Sequence, residues 1–220
     1  MPDLARHDSL VDDLVGRLEP VRPLPAPALR TLAWIGAVLL LGLILMPMVD
    51  MHGLHTRLGT LDLRLAALGA VLTAVTAAFA AFATSVPGRS VAWALLPAAP
   101  AALWVGASGL GCLRGWLAPG TNLAGTHEME GCFAFLVSVS LPLSALLVLM
   151  LRRACPLRPN LTAALGGLAA AAAAASLLVP FHPHDATATD LAIHAVTVLG
   201  VIGLNGLAGG RLLSGGKRIR

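Results

Sequence analysis

The most regular feature of the sequence is the alternation of long apolar runs with short polar segments. Six runs contain no Asp, Glu, Lys or Arg, and each approaches or exceeds the roughly 20 residues that a helix needs to cross a bilayer core of about 30 Å. They cover residues 31–49, 65–88, 91–113, 131–151, 159–181 and 191–210. Because a charged residue at the centre of a membrane helix costs about 3 kcal/mol, such runs predict an all-α protein with a bundle of six transmembrane helices.

The composition excludes an ordinary soluble domain. Hydrophobic residues make up 57% of the 220 residues and charged residues only 12%, whereas a soluble domain carries about 25% charged residues. A soluble protein can bury one helix of this kind, but so short a chain could not cover six. We therefore expect the lipid bilayer to surround most of this protein. The first 30 residues carry both charge signs and no apolar run, so no cleaved signal peptide is expected.

The basic residues are distributed unequally between the two ends of the predicted helices. If the N-terminus lies in the cytoplasm, twelve Lys and Arg fall on the inner side and three on the outer side, which is the bias that cytoplasmic loops show. An even number of helices returns the chain to its starting side, so both termini are predicted to be cytoplasmic. The basic residues are spread thinly between apolar runs, so we predict no direct binding of nucleic acid.

The N-terminal segment, residues 1–30, has a different pattern, in which apolar residues recur at helical spacing. They are Leu10, Val11, Leu14, Val15 and Leu18. This spacing predicts a short amphipathic helix, with Ser9 as its N-terminal cap and Glu19-Pro20 as its end. Its polar face is net acidic, whereas helices that lie on membranes are usually basic. We therefore expect the apolar stripe to bind a protein partner; packing against the chain's own cytoplasmic loops is the alternative.

Side chains that can bind metals collect at the outer face in this topology. Six of the seven His and four of the six Met lie at or near it, and thioether and thiolate groups are the ligands that Cu(I) prefers. The candidate ligands are Met48, Met51, His52, His127, Cys132, His182 and His184. They predict a site for a regulatory metal ion, copper in the first place and zinc or cadmium in the second, with no permanently bound cofactor. A polar rim whose His side chains meet water at the headgroups is the alternative.

Small residues concentrate in the fifth and sixth runs. They include Gly166, Gly167 and residues 169–175 in the fifth and 206–210 in the sixth. Small faces let membrane helices approach closely, so they predict tight packing within the bundle. A homodimer of the whole bundle remains an open alternative.

The chain also resembles a known family in the order of its short motifs. A segment of the form Leu-Val-x-x-Leu-x-Pro-Val-Arg-x-Leu precedes the six predicted helices, and four shorter motifs follow it. They are Val-Pro-Gly-Arg, Leu-Arg-Arg, Arg-Pro and Gly-Gly-Arg-Leu-Leu, so that the whole series lies at residues 14–24, 86–89, 151–153, 158–159 and 209–213. Together they look like the NrsF-type membrane anti-sigma factors.

This resemblance implies a division of the chain into three functional parts. Residues 1–30 would hold an extracytoplasmic-function sigma factor in the cytoplasm, residues 31–210 would form a six-helix sensor in the bacterial inner membrane, and residues 211–220 would form a basic cytoplasmic tail. Metal or oxidant stress outside would release the sigma factor. The resemblance thus implies a regulator rather than an enzyme, and we predict no catalytic residue.

The sequence departs from the family at one of its two sensing positions. The resemblance implies a pair of periplasmic cysteines, one at the start of the fourth helix and one in a Cys-Pro turn after the fifth. Cys132 matches the first, whereas His182-Pro183 stands at the second. A disulfide switch would therefore need Cys112, which could also form a structural disulfide with Cys132 across the outer loop. His and Cys both bind copper and zinc, so the departure favours metal binding over thiol oxidation.

Two other classes of function compete with the regulator. A small metal or solute permease would need polar or charged groups at midplane depth, where Asn205 and His194 are nearly alone. A haem-binding redox protein would need paired His side chains on facing helices, and only His194 lies within a predicted helix.

Overall fold

The computed structural model describes residues 2–18, 23–49, 54, 58–117, 126–181 and 188–213. These residues form helices joined by turns and short 3-10 segments, without a strand among them. In chain order the α-helices are α1 (Pro2–Gly16), α2 (Pro27–Leu45), α3 (Leu61–Thr84), α4 (Ala98–Leu117), α5 (Thr126–Leu151), α6 (Pro159–Leu178) and α7 (Ala188–Leu213). Helices α2 to α7, three of them with an adjoining 3-10 segment, are long and apolar enough to cross a membrane. The prediction of an all-α, six-span protein is confirmed.

The spans shift by a few residues from their predicted bounds, and two of the shifts have clear causes. Helix α2 begins at Pro27 rather than at residue 31, because the charge of Arg30 is accommodated inside the bundle, where it is buried. Helix α3 ends at Thr84 rather than at residue 88. A turn with Pro87 and Gly88 follows it, and Gly88 adopts a φ of 83° that other residues rarely take.

The N-terminal helix also begins earlier than predicted. Helix α1 runs from Pro2 to Gly16, so Ser9 lies within the helix and is not its cap, and the helix ends before Glu19. Both predictions of its ends are wrong. Pro has a fixed φ that suits the first position of a helix, and Gly has a low helix propensity, so Pro2 and Gly16 are residue types suited to the observed ends.

Helix α6 is the centre of the bundle and packs against α3, α5 and α7. Its buried surface consists mainly of small residues, including Gly166, Gly167 and the alanines at positions 169–174. On α7, a Cβ atom added to Gly209 would lie only 2.7 Å from the carbonyl oxygen of Pro159. The small-residue faces therefore bring α6 and α7 into backbone contact, as the sequence predicts.

A buried polar side chain joins three helices inside the membrane-spanning part. The Ser144 hydroxyl of α5 donates to the Asn205 side-chain oxygen of α7 over 2.6 Å, and the Asn205 amide donates to the Val201 carbonyl over 2.8 Å. Gly167 of α6 leaves room for this group, since its added Cβ would lie 3.0 Å from that of Asn205. In lipid, polar groups must find partners within the protein. Asn205 does so by joining helices, a use that gives no support to the permease alternative.

The contact between α3 and α4 gives a test of the helix packing. A Cβ atom added to Gly69 would lie 2.6 Å from the backbone nitrogen of Trp104, so Gly69→Ala must push the two helices apart. We expect a loss of about 1 to 3 kcal/mol in the free energy of unfolding, measured by thermal unfolding of the purified protein in detergent. Gly106→Ala on α4 is the matched control, because its Cβ would meet no heavy atom within 4 Å. Equal melting temperatures for the two variants would contradict this close contact.

Candidate functional site

The five predicted partner-binding residues share one uncovered face of α1 and the residues that follow it. Their exposed fractions range from 55% at Leu10 to 74% at Leu18, and every described side chain from residue 7 to residue 18 is exposed. No part of the described bundle covers this apolar stripe, so the alternative of packing against the cytoplasmic loops is not what the structure shows. An amphipathic helix with a bare apolar face is a form that fits into a groove on a partner.

Helix α2 connects this segment to the bundle through a narrow contact. Its buried residues are Pro27, Arg30, Thr31 and Trp34, which follow the helical spacing of a single stripe. All four lie in the N-terminal half of the helix, next to the linker from α1. In the topology predicted from the sequence this is the inner half, and the labels inner and outer below follow that prediction. The indole Nε1 of Trp34 donates to the Leu143 carbonyl oxygen of α5 over 3.1 Å. The inner half of α2 is therefore fixed to the bundle.

The side chain of Arg30 is the main polar contact of this inner half. It is 5% exposed, and its guanidinium donates to the Ser85 hydroxyl over 3.3 Å and to the Met150 carbonyl oxygen. It also lies 4.5 Å from the ring centroid of Phe82. Phe82 and Ser85 stand at the end of α3 and Met150 in the last turn of α5, where helix carbonyls carry partial negative charge. We call these four residues the inner joint.

A second arginine makes a similar contact beside the inner joint. Arg152, directly after α5, donates from Nε to the Leu212 carbonyl oxygen near the end of α7 over 3.0 Å. The end of α3, the end of α5 and the end of α7 therefore lie on the same side of the bundle as the start of α2. Exposed arginines at positions 89, 153 and 158 lie in the turns that follow α3 and α5 on this side.

An apolar cleft opens at the opposite end of α2. It has a volume of about 280 Å³ and separates the end of α2 from the start of α5 and the end of α6. Its lining residues are Leu45, Met48, Gly131, Cys132, Phe135, Leu178 and Phe181. The rings of Phe135 and Phe181 lie 5.4 Å apart between their centroids. A neighbouring cavity of about 200 Å³ shares Leu45 and Phe181 and includes Met46. We call this region the outer cleft.

The outer cleft brings together two of the seven predicted metal ligands, Met48 and Cys132. Cys132 is 6% exposed and Met48 is 75% exposed. Four of the other five lie outside the described residues, namely Met51, His52, His182 and His184, and His127 lies in the first turn of α5, where the structure does not describe its side chain. Within the described part of the chain, no three His, Cys, Asp or Glu side chains form a group that could hold a metal ion. Cys112 and Cys132 carry separate thiols without a disulfide between them.

The two sulfur atoms fit one class of metal ion. A thiol and a thioether beside apolar walls match the preference of Cu(I) for soft sulfur ligands, whereas Zn sites are usually built from four Cys, His or carboxylate ligands. Met48, in the 3-10 segment that follows α2, and Cys132 of α5 are the described residues that would hold such an ion.

Comparison with known families then identifies the chain. A family model described as negative regulator of sigma F, NrsF, matches residues 14–214. The chain belongs to the NrsF family. Comparisons with curated proteins and with solved structures give no match.

Membership in the NrsF family confirms the resemblance carried by the sequence motifs. This NrsF-family protein is a negative regulator of a sigma factor, and a sigma factor is its partner. The matched range includes Leu14, Val15 and Leu18 of the apolar stripe, while Leu10 and Val11 precede it. It also includes the inner joint and the outer cleft.

Arg30 is the functional candidate that the sequence reasoning missed, because its charge served only to mark the edge of a span. Arg30→Ala should lower the free energy of unfolding of the NrsF-family protein by about 1.5 to 3 kcal/mol, the range for a hydrogen bond to a charged group. Arg30→Lys should have a smaller effect, because it keeps the charge but loses the fork that reaches two acceptors. Thermal unfolding in detergent measures both. Arg89→Ala is the control, because Arg89 is exposed. If Arg30→Ala is as stable as this control, the inner joint does not stabilise the bundle.

Proposed function

We propose that this NrsF-family protein is an anti-sigma factor of the bacterial inner membrane. It holds an extracytoplasmic-function sigma factor through residues 1–30. It releases the sigma factor when the outer cleft binds a thiophilic metal ion, for which copper is the first candidate. The observation that carries the binding half of this proposal is the bare apolar stripe of α1. A chain that buries its other helices in lipid or in the bundle leaves this one stripe available to a partner.

The distribution of charge supports a cytoplasmic position for α1. The inner joint places the start of α2 beside the ends of α3 and α5, and the turns at this end carry the exposed arginines at positions 89, 152, 153 and 158. Basic residues in short loops accumulate on the cytoplasmic side. The segment that leads into α2 would therefore lie in the compartment where sigma factors act.

The contrast between the two halves of α2 supports a means of release. The inner half is bonded to α5 through Arg30 and Trp34, whereas the outer half borders the open outer cleft. A cation held by Met48 and Cys132 would draw the outer end of α2 toward α5. A tilt of α2 about the inner joint would then reorient the segment that carries α1. A preference of the ion for the released state by about 3 kcal/mol would change the ratio of the two states more than a hundredfold.

Truncation of the apolar stripe tests the binding half. Leu14→Ala with Leu18→Ala removes two large side chains from the stripe, and we expect at least about a tenfold loss of affinity, because burying a single leucine contributes about 2 kcal/mol. The measurement is the capture of the purified cognate sigma factor by the full-length protein in nanodiscs. Leu207→Ala is the control, since Leu207 is also a large apolar side chain, 84% exposed, but lies on α7 away from the stripe. Equal capture by both variants would refute the role of the stripe.

Removal of the two sulfur ligands tests the sensing half. A variant with Cys132→Ser and Met48→Leu should keep its basal repression, because the inner half of α2 and α1 are untouched. A sigma-dependent reporter should no longer rise when copper is added. Cys155→Ser is the control, since Cys155 is an exposed thiol in an inner turn. A normal copper response in the double variant would remove the sensor assignment and leave the anti-sigma role intact.

A further inference from the structure

Two features of the acidic residues of α1 oppose the stability of the helix itself. Asp12 and Asp13 lie near its C-terminal end, where the helix carries partial negative charge, and its last turn contains no basic residue. Asp8 and Asp12 are four residues apart, a spacing at which like charges repel each other on the helix surface. Local rules that fail in this way are expected at functional sites. We therefore expect an interaction outside the isolated helix to compensate the unfavourable positions of these carboxylates.

One of the three carboxylates has a partner within the segment. Asp13 accepts hydrogen bonds from Arg17, with Oδ1 at 2.9 Å from Nη2 and 3.0 Å from Nε. Among the described residues, no cation lies within ion-pair distance of Asp8 or Asp12. Helical spacing places Asp8 one turn from Val11 and Asp12 one turn from Val15. Asp8 and Asp12 thus form an acidic edge along one side of the apolar stripe.

The acidic edge disfavours a membrane surface as the partner of the stripe. Cytoplasmic leaflets are anionic, and helices that lie on them carry Lys and Arg beside their apolar face. The turns at the inner end of the bundle offer exposed arginines, yet every described side chain of α1 is exposed. What remains is a separate partner whose surface is apolar where the stripe lies and basic beside it.

We propose that α1 binds a groove on the sigma factor that has an apolar floor and a basic rim along the side that meets Asp8 and Asp12. This inference rests on the proposed function, in which residues 1–30 hold the sigma factor. The apolar stripe fills the floor, and the acidic edge pairs with Lys or Arg of the rim. Binding then relieves the repulsion between Asp8 and Asp12. Charge pairs of this kind contribute to association rate and partner choice more than to affinity.

The test compares neutralisation of the acidic edge with neutralisation of the internal ion pair. Full-length protein in phosphatidylcholine nanodiscs is immobilised, and association with the purified cognate sigma factor is followed at about 50 mM and about 500 mM salt, where charges are weakly and strongly screened. Asp8→Asn with Asp12→Asn removes two charges without changing side-chain size. Asp13→Asn with Arg17→Gln is the matched control on the same helix, because it leaves the net charge unchanged.

We expect the acidic-edge variant to associate about tenfold more slowly than the wild type at low salt and to match it at high salt. The control variant should stay within about threefold of the wild type at both salts. If the acidic-edge variant has the association rate and the salt dependence of the wild type, the proposal of a basic rim is wrong. If Leu14→Ala with Leu18→Ala still weakens binding in that case, the proposed function survives; if the wild type itself captures no sigma factor, the proposed function fails as well.

Charge reversal separates direct pairing from an effect on helix stability. Asp8→Lys with Asp12→Lys should abolish capture, and replacing a basic rim residue of the sigma factor with Glu should restore it by at least about tenfold. Failure of every such replacement to restore capture would argue against direct pairing. The same nanodiscs made with phosphatidylglycerol test whether α1 binds an anionic membrane surface instead. If α1 of the wild type is protected from protease by anionic lipid in the absence of sigma factor, the membrane is the partner and the proposal is wrong.

Discussion

The buried guanidinium of Arg30 holds together the inner end of the bundle. A charge removed from water is costly unless its surroundings compensate it, and here a hydroxyl, a backbone carbonyl and an aromatic ring do so in the absence of a carboxylate among the described residues. Because these groups belong to the ends of α3 and α5, α2 cannot move away at this point without leaving the charge unmatched. The bundle is therefore fixed where the chain enters it and more open where Met48 lies.

The rest of the bundle depends on close approach rather than on large side chains. Lipid tails are as apolar as Leu, so membrane helices associate through van der Waals contact and a few hydrogen bonds. Gly69, Gly167 and Gly209 each allow a neighbouring helix to come nearer than a side chain would permit, and Ser144 bonds Asn205 across α5 and α7. With α6 at the centre, helices α3, α5, α6 and α7 form the tightly packed side of the bundle.

The number and order of the membrane helices could be predicted because each helix that crosses a bilayer needs about 20 consecutive apolar residues, which can be counted along the sequence. The same rule misplaced the start of α2, since it treats any charge as a boundary and cannot show that Arg30 finds partners 55 and 120 residues away. The start of α1 at Pro2 differs from the prediction, because Ser9 is a residue type that commonly caps helices but here lies inside one. Of the seven predicted ligands, Met48 and Cys132 share a cleft only because α2 packs beside α5, and no residue pattern encodes that pairing.

The long sequence separations at Arg30 also constrain how the protein is assembled. The chain is synthesised from its N-terminus, so α2 reaches the membrane before the residues that will receive its guanidinium exist. Until α3 and α5 have been inserted, the long side chain of Arg30 can stay solvated only by reaching back to the headgroups. Helix α2 is therefore made before α3 and α5 but is locked in place only after both, and α1 stays attached to it throughout biogenesis.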